Sequence, residues 1–594
     1  MKKRELIQDE YKWDLSSLCK NDEDFENNLK GLEEYIEKVK TFKGKLKSKN
    51  TLFRYFEFCR DFSLIFNKTY TYANCRLDQD HGNSKYINLS EKVQQLSTRF
   101  SVANSFAEVE ICSLSEKTLL KLMSDKKFSD YSEVLRYHIK NKKHMLSLEK
   151  EEVIAGMGDF LGGAYDVFSK YANVDVDFED AIDSKGKKHK VDNETASIFM
   201  QSEDRVLRKS VSESIAKAFK QVSNTLGTNY ANYIKQKVYF SKLRGYKSCL
   251  DASLYSEDID RIVYDKLVAK VNENMNIHFK TLELIRKVLK LKKLASYDVY
   301  APFVKNQNKK ITIEKAFNQA RDILQPLGQE YIELFDKSIK EKWYDIFPNK
   351  GKRIGAYSSG AYGANPIVLL NFDGYDSYVD TIIHEFGHSA HTYYSNKNQP
   401  YAKSNYGIFA AEIASTVNEN LNYFYKKDKA KTKNEKLKVY HDLLHNIHAI
   451  LFNQTMFSEC EQLFYETVEK GDILSPEKIL EIYDSRSKKY FGKNVDILPD
   501  QKYKWADIPH FFYDFYVYMY VTGFIAAFVI AKRIYSGDSV TREQYFKFLK
   551  SGCSKPPIEL LKEVGVDFTT DAVYDEVFES LKLELQEFEK LIKV

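Results

Sequence analysis

Residues 409–424 read Phe-Ala-Ala-Glu-Ile-Ala-Ser-Thr-Val-Asn-Glu-Asn-Leu-Asn-Tyr-Phe. Ile413, Val417, Leu421 and Phe424 recur at three- and four-residue spacing and fall on one stripe of a helix. The same spacing runs through most of the chain, which has only 10 prolines and 24 glycines to interrupt it and no Gly/Ser- or Pro-rich linker. The expected class is therefore mainly α. One break, Asp183-Ser184-Lys185-Gly186, is expected as the turn of a hairpin between short strands at 174–178 and 189–191. Another, Pro348-Asn349-Lys350-Gly351, opens the one clearly β-like region. No repeat of fixed period is present. We expect a helical N-terminal region over 1–200 and a catalytic region over 201–594, although composition does not mark the boundary.

Composition narrows the function. The chain is 43% hydrophobic and 29% charged, as globular proteins are. Its 90 Lys+Arg against 85 Asp+Glu leave a net charge of only +5, and no nucleic-acid signature accompanies it, so no nucleic-acid partner is expected. The 7 cysteines are odd in number and show no CxxC pair, which fits a reducing compartment. The N-terminus carries no apolar run of a secretory signal. The apolar stretch 521–531 is too short to span a bilayer, so no membrane partner is expected. Oligomeric state is not legible.

The chemistry concentrates at His384-Glu385-Phe386-Gly387-His388, in a helical segment expected to start near Asp376-Ser377. Histidines at i and i+4 share a helix face and can meet one zinc ion, and Glu385 beside them can serve as a general base without being a ligand. Glu412 follows in the small, apolar stretch quoted above, where a carboxylate is costly to bury unless it meets a cation. Two His and one Glu leave a fourth coordination position open, as a catalytic zinc requires. The long three-histidine motif is excluded, because its Gly and third His positions hold His391 and Tyr394. His391 is expected as pocket wall. The cluster His441, His445, His448 is expected as packing or surface, and Asp380 as an acceptor for an imidazole or a helix-start charge.

Two further segments suit a peptide substrate. Arg353 to Gly363 reads as a glycine-rich turn feeding a strand at 366–372, along which an extended peptide could pair its main chain. Ile508-Pro509-His510 leads into a run of aromatic residues. Peptide hydrolysis needs donors for the oxyanion it creates, and His510 with tyrosyl hydroxyls would serve. If a helix begins after Pro509, Tyr513, Tyr516 and Tyr520 share one face and Tyr518 points away. Alone, the stripe reads as aromatic core rather than as a set of donors.

At these residues the chain resembles oligoendopeptidase F, within the thimet-oligopeptidase-like zinc peptidases. The likeness rests on Tyr11 to Leu18, Tyr297 to Pro302, Gly355 to Gly363, His384 to His391, Glu412 to Glu419 and His510 to Gly523. It implies a two-lobed helical body with a deep channel, and one Zn2+ per chain on His384, His388 and Glu412. It further implies Glu385 as catalytic base, and His510 with Tyr520 and Tyr513 as transition-state groups. The expected activity is internal cleavage of short peptides in the cytoplasm. A carboxypeptidase with the same zinc site, and a helical binding protein with a vestigial site, are the alternatives. An aminopeptidase is disfavoured, since no Gly-x-Met-Glu-Asn stretch is present.

Overall fold

A computed structural model describes residues 3–157, 161–305 and 309–593. It is 71% helical with 3% strand, the mainly α class that the periodicity predicts. The stripe on the helix Ile408–Lys429 is buried at Ile413, Val417, Leu421 and Phe424. Compactness divides the chain into two units, each assembled from three segments.

The first unit comprises Met1–Met145, Asn308–Phe424 and Ile530–Val566. It opens with three long helices, Asp22–Lys40, Lys49–Gln79 and Ser84–Asn104. The first is capped by Asn21, which accepts the Asp24 amide, and carries acids in its first turn and lysines in its last, as the helix dipole favours. Phe25, Leu32, Val93 and Leu96 from these helices share one core with Trp13, Leu15 and Leu18 and with Ile367 and Leu369. The opening segment Tyr11 to Leu18 is thus a packing motif.

Behind that core lies a three-stranded sheet, β1 (Tyr344–Asp345), β2 (Tyr357–Ser359) and β3 (Ile367–Leu369), in the order β1-β3-β2. β3 is central: it runs parallel to β1 and antiparallel to β2, and all three of its residues are buried. The expectation that a peptide pairs along 366–372 is therefore corrected, because both edges of β3 are already taken. The outer strands are β1 and β2. Val368 directs its amide to Trp343 O on the β1 side, at 2.8 Å. Ser358, opposite Val368, is then a non-hydrogen-bonded partner and turns its own N–H and C=O off the sheet.

Lys352 pins this layer. Its ammonium is 1% exposed, donates to the carbonyls of Asp345 (3.0 Å), Phe347 (2.8 Å) and Leu370 (2.6 Å), and pairs with Asp345 at 2.7 Å.

The second unit comprises Leu146–Gln307, Tyr425–Val529 and Asp567–Val594. Its hairpin does turn at residues 183–186, but the paired strands are Ala181–Ile182 and Lys188–His189. The expected strand at 174–178 is not one: a π-turn occupies Tyr171–Asp175. A tight turn fixes register to the residues immediately flanking it, which places the pairing closer in. Within Tyr297 to Pro302, Asp298 is buried and accepts from Arg205, Arg208 and the Ala295 amide, so this segment too is structural.

Lys352→Met should cost about 3–5 kcal/mol, because it leaves the Phe347 and Leu370 carbonyls without this donor and the buried Asp345 carboxylate with Arg4 as its remaining cation. Thermal unfolding followed by circular dichroism checks this; an unchanged melting temperature would contradict it.

Candidate metal centre

The metal helix, α1, is Val379–Asn398, and the helix that carries Glu412, α2, is Ile408–Lys429. α1 begins after a 3-10 turn at Asp376–Tyr378 with no side-chain cap, and Asp376 instead accepts the Lys309 amide at 3.0 Å. The expected cap near Asp376-Ser377 is corrected accordingly.

α1 and α2 approach to backbone contact at one point. A Cβ on Gly387 would lie 2.6 Å from Ser415 Cα and 2.7 Å from Ala414 O. Only glycine permits this spacing, and the buried Ala410 and Ala414 extend it. Polar rungs lock the pair in register. Asn418 donates to Ile383 O at 2.8 Å, and Asn422 donates to Asp380.

In that register His384, His388 and Glu412 offer ligand atoms that all lie within 4.8 Å of one another. Glu412 Oε2 is 3.7 Å from His384 Nε2 and 3.5 Å from His388 Nε2, and Ser415 Oγ donates to the same oxygen at 2.9 Å. Two imidazole nitrogens and one carboxylate oxygen converging on one point form a donor set that fits a divalent cation such as zinc. His384 Nδ1 meets Glu419 Oε1 at 2.8 Å, which fixes the tautomer that leaves Nε2 free to coordinate. The residues alone did not give Glu419 a role. Its signal is its place two turns after Glu412, on the same helix face. Asp380, considered for that orienting role, is held by Asn422.

Glu385 is 7% exposed. Burial raises its carboxyl to about 7, opposed by His384 and by a hydrogen bond from the Ser358 backbone on the outer edge of β2. A cation on the adjacent ligands would favour the carboxylate and pull this value down. His384 rises to about 9: burial opposes the charge, but the hydrogen bond and charge of Glu419 outweigh it. His391 stays outside the ligand set. It is buried and stacks flat on Tyr406, ring centres 3.7 Å apart.

The remaining site candidates lie in the second unit. His510 Nε2 and Tyr520 Oη are 3.2 Å apart, and the His510 ring contacts those of Tyr513 and Tyr516. No helix begins after Pro509. A 3-10 turn ends at Phe512, and the helix α3, Tyr518–Tyr535, starts later. Between them Asp514 and Phe515 adopt φ of 50° and 63°, a left-handed conformation costly without glycine. The side chain of Asp514 holds the turn. It accepts from Tyr233 and Tyr465 at 2.8 Å and from Lys237 at 2.6 Å, while the Phe515 amide donates to buried Glu461 at 2.8 Å. The turn still gathers Tyr513, Tyr516 and Tyr520 around His510, and Tyr518 faces the core at 1% exposure. Within the His441, His445, His448 cluster, His448 is buried and stacks on His278, as packing would have it.

Comparisons with known proteins give the chain's family. The model described as peptidase family M3 matches residues 198–580, and one described as oligopeptidase F matches 110–178. The oligopeptidase PepF of Bacillus subtilis is 34% identical over 99% of this chain and 88% of its own length. A crystallised protein of Chlamydophila abortus superposes with a TM-score of 0.93 at 31% identity, covering 99% of this chain and 100% of its own. The oligoendopeptidase-F structure from Enterococcus faecium gives 0.74 at 28% identity, covering 96% and 99%.

Because His384 is protonated below about 9 and Glu385 only below about 7, metal binding at pH 8 should release close to one proton, from His384. Calorimetry in buffers of different ionisation enthalpy reads this number, and Glu419→Gln should reduce it. Heats independent of buffer would contradict the assignment.

Proposed function

The chain belongs to peptidase family M3, and from that premise we propose that it cleaves internal bonds of short oligopeptides with one zinc ion held by His384, His388 and Glu412. The chain is a metalloendopeptidase, and its substrates are peptides. The observation that carries the finer assignment is the convergence of the three donor atoms within 4.8 Å beside a buried glutamate. When bound, the ion supplies a Lewis acid that polarises the scissile carbonyl and activates water at neutral pH.

Glu385 is the general base. Its carboxyl lies among the ligand residues, and its proton affinity falls near the range where base catalysis at neutral pH is efficient. The Ser358 backbone donates to that carboxyl, so a peptide that adds as a strand to β2 and takes over this hydrogen bond brings its backbone to the base. His510 and Tyr520 are assigned as donors to the developing oxyanion, with Tyr513 as a third candidate. Burial lowers the proton affinity of His510, so the imidazole is neutral at pH 7 and donates from one nitrogen only. Tyr513 is 43% exposed and its hydroxyl lies 3.3 Å from that of Tyr165.

Residues 201–594 carry every group assigned a role in the reaction, and we retain them as the catalytic region, with 1–200 as the N-terminal helical region. All seven cysteines are free, in keeping with a cytoplasmic location. Among the described residues, no helix is long and apolar enough to cross a membrane.

Glu385→Gln should keep its metal and fold but lose about 10²–10⁴ in turnover of a peptide blocked at both ends. Near-normal turnover would remove Glu385 as base. Tyr520→Phe should lower kcat by about 10²–10³ with little change in KM. A variant with intact kcat and a lower melting temperature would make the aromatic stripe core.

A further inference from the structure

Both walls of the metal centre continue into a cavity of about 960 Å³ in the first unit. One wall is α1. His384 and His388 sit at i and i+4, and Thr392 and Asn396 carry the same stripe onward in steps of about 6 Å until both line the cavity. The other wall is the main chain beyond β2. Ser358 hydrogen-bonds Glu385, and Gly360, Ala361 and Tyr362, which follow it closely, line the same cavity. Tyr406 closes the seam, its hydroxyl 2.7 Å from Thr392 Oγ1 and its ring flat on His391.

The lining is rich in aromatic rings whose hydroxyls are already engaged. Tyr55 donates to Asn104 at 2.8 Å, Tyr362 donates to Gln399 O at 2.9 Å, and Tyr401 accepts from Asn67 at 3.0 Å. The walls therefore turn ring carbons inward. Of the charged lining residues, Arg60 is neutralised by Glu57, at 2.7 and 2.8 Å, and by Asp61. An occupant gains by burying apolar area and by ring contact; exposed Glu108, which also lines the cavity, offers nothing to an apolar side chain.

We propose that this cavity takes aromatic or bulky apolar side chains of the substrate, from residues two to four positions before the scissile bond. This rests on the peptidase assignment above and deepens it. Glu385 must reach the scissile bond, so the substrate residue beside Ser358 borders that bond. A strand added to the outer edge of β2, where it replaces Glu385 as the partner of the Ser358 backbone, pairs more stably in the antiparallel sense. Moving towards its N-terminus, it then passes Ser359, Gly360, Ala361 and Tyr362 in turn. At about 3.4 Å per residue, positions two to four before the bond enter the cavity. Gly360 keeps the passage narrow and clear, since a Cβ there would lie 3.0 Å from Thr392 Cγ2.

The test uses the metal-loaded enzyme and short peptides blocked at both ends, with one Phe moved position by position through an alanine-rich background. Mass spectrometry reads the cut site and kcat/KM. Phe at two to four residues before the cut should raise kcat/KM at least about tenfold over Ala, and Phe after the cut should not. Ser63→Trp, which adds bulk to the cavity wall, should bring the Phe/Ala ratio close to one, and Ser101→Trp serves if the first variant is shown by its melting temperature not to fold. A wild-type ratio near one at every position overturns the proposal. So does a preference confined to residues after the cut, or an undiminished ratio in a folded variant. If the wild-type enzyme cuts no blocked peptide, the endopeptidase assignment fails first and takes this proposal with it.

Discussion

The contact at Gly387 sets the geometry on which the site depends. Two helices that meet backbone to backbone bring side chains from different turns within ligand distance, and any larger residue would push them apart. The polar groups between them are matched to that spacing. Asn418 caps the Ile383 carbonyl, Asn422 meets Asp380, Glu419 fixes His384, and Glu412 reaches both histidines. Buried polar groups are costly unless satisfied, so each rung penalises a shift in register. The site gathers acids around two imidazoles, and, despite burial, the Glu419 carboxylate raises the proton affinity of His384. A cation replaces the proton on His384 and satisfies the same charges.

The small sheet matters through its edge. Because β3 is covered on both sides, a peptide can add only along an outer strand, and on the outer strand β2 the Ser358 backbone lies beside Glu385, to which it donates. Substrate backbone and catalytic base are thereby placed by one strand. In the second unit the equivalent constraint is Asp514. Its three donors hold two residues at positive φ, at a cost of about 1–3 kcal/mol each, and so gather three tyrosines about His510. Strain paired with a dense buried network is what an over-determined position looks like.

The features legible in the sequence are those set by local periodicity. The i, i+4 histidines, the adjacent base and the Ile413–Phe424 stripe depend only on helical spacing. Glu412 was legible because a carboxylate among alanines needs a partner. Elsewhere the controlling residues are distant in sequence. Nothing near 366–372 announces that Tyr344–Asp345 covers the far side of β3, so its open edge was misassigned. The hairpin turn was evident from Asp183 to Gly186, but the paired strands are only two residues long and carry little pattern. The turn at Asp514–Phe515 has no glycine to betray it; its cause lies in Tyr233, Lys237 and Tyr465, from other helices. The two compact units draw on three chain segments each, which composition along the chain does not reveal.

If the helix contact at Gly387 is what assembles the metal centre, a single methyl group there should dismantle it. Metal analysis by mass spectrometry after gel filtration, comparing the wild-type protein with Gly387→Ala, tests this directly. The account predicts about one equivalent of metal in the wild type and a large loss in the variant, with the helical circular dichroism signal retained. A folded Gly387→Ala protein that keeps its full complement of metal would contradict it.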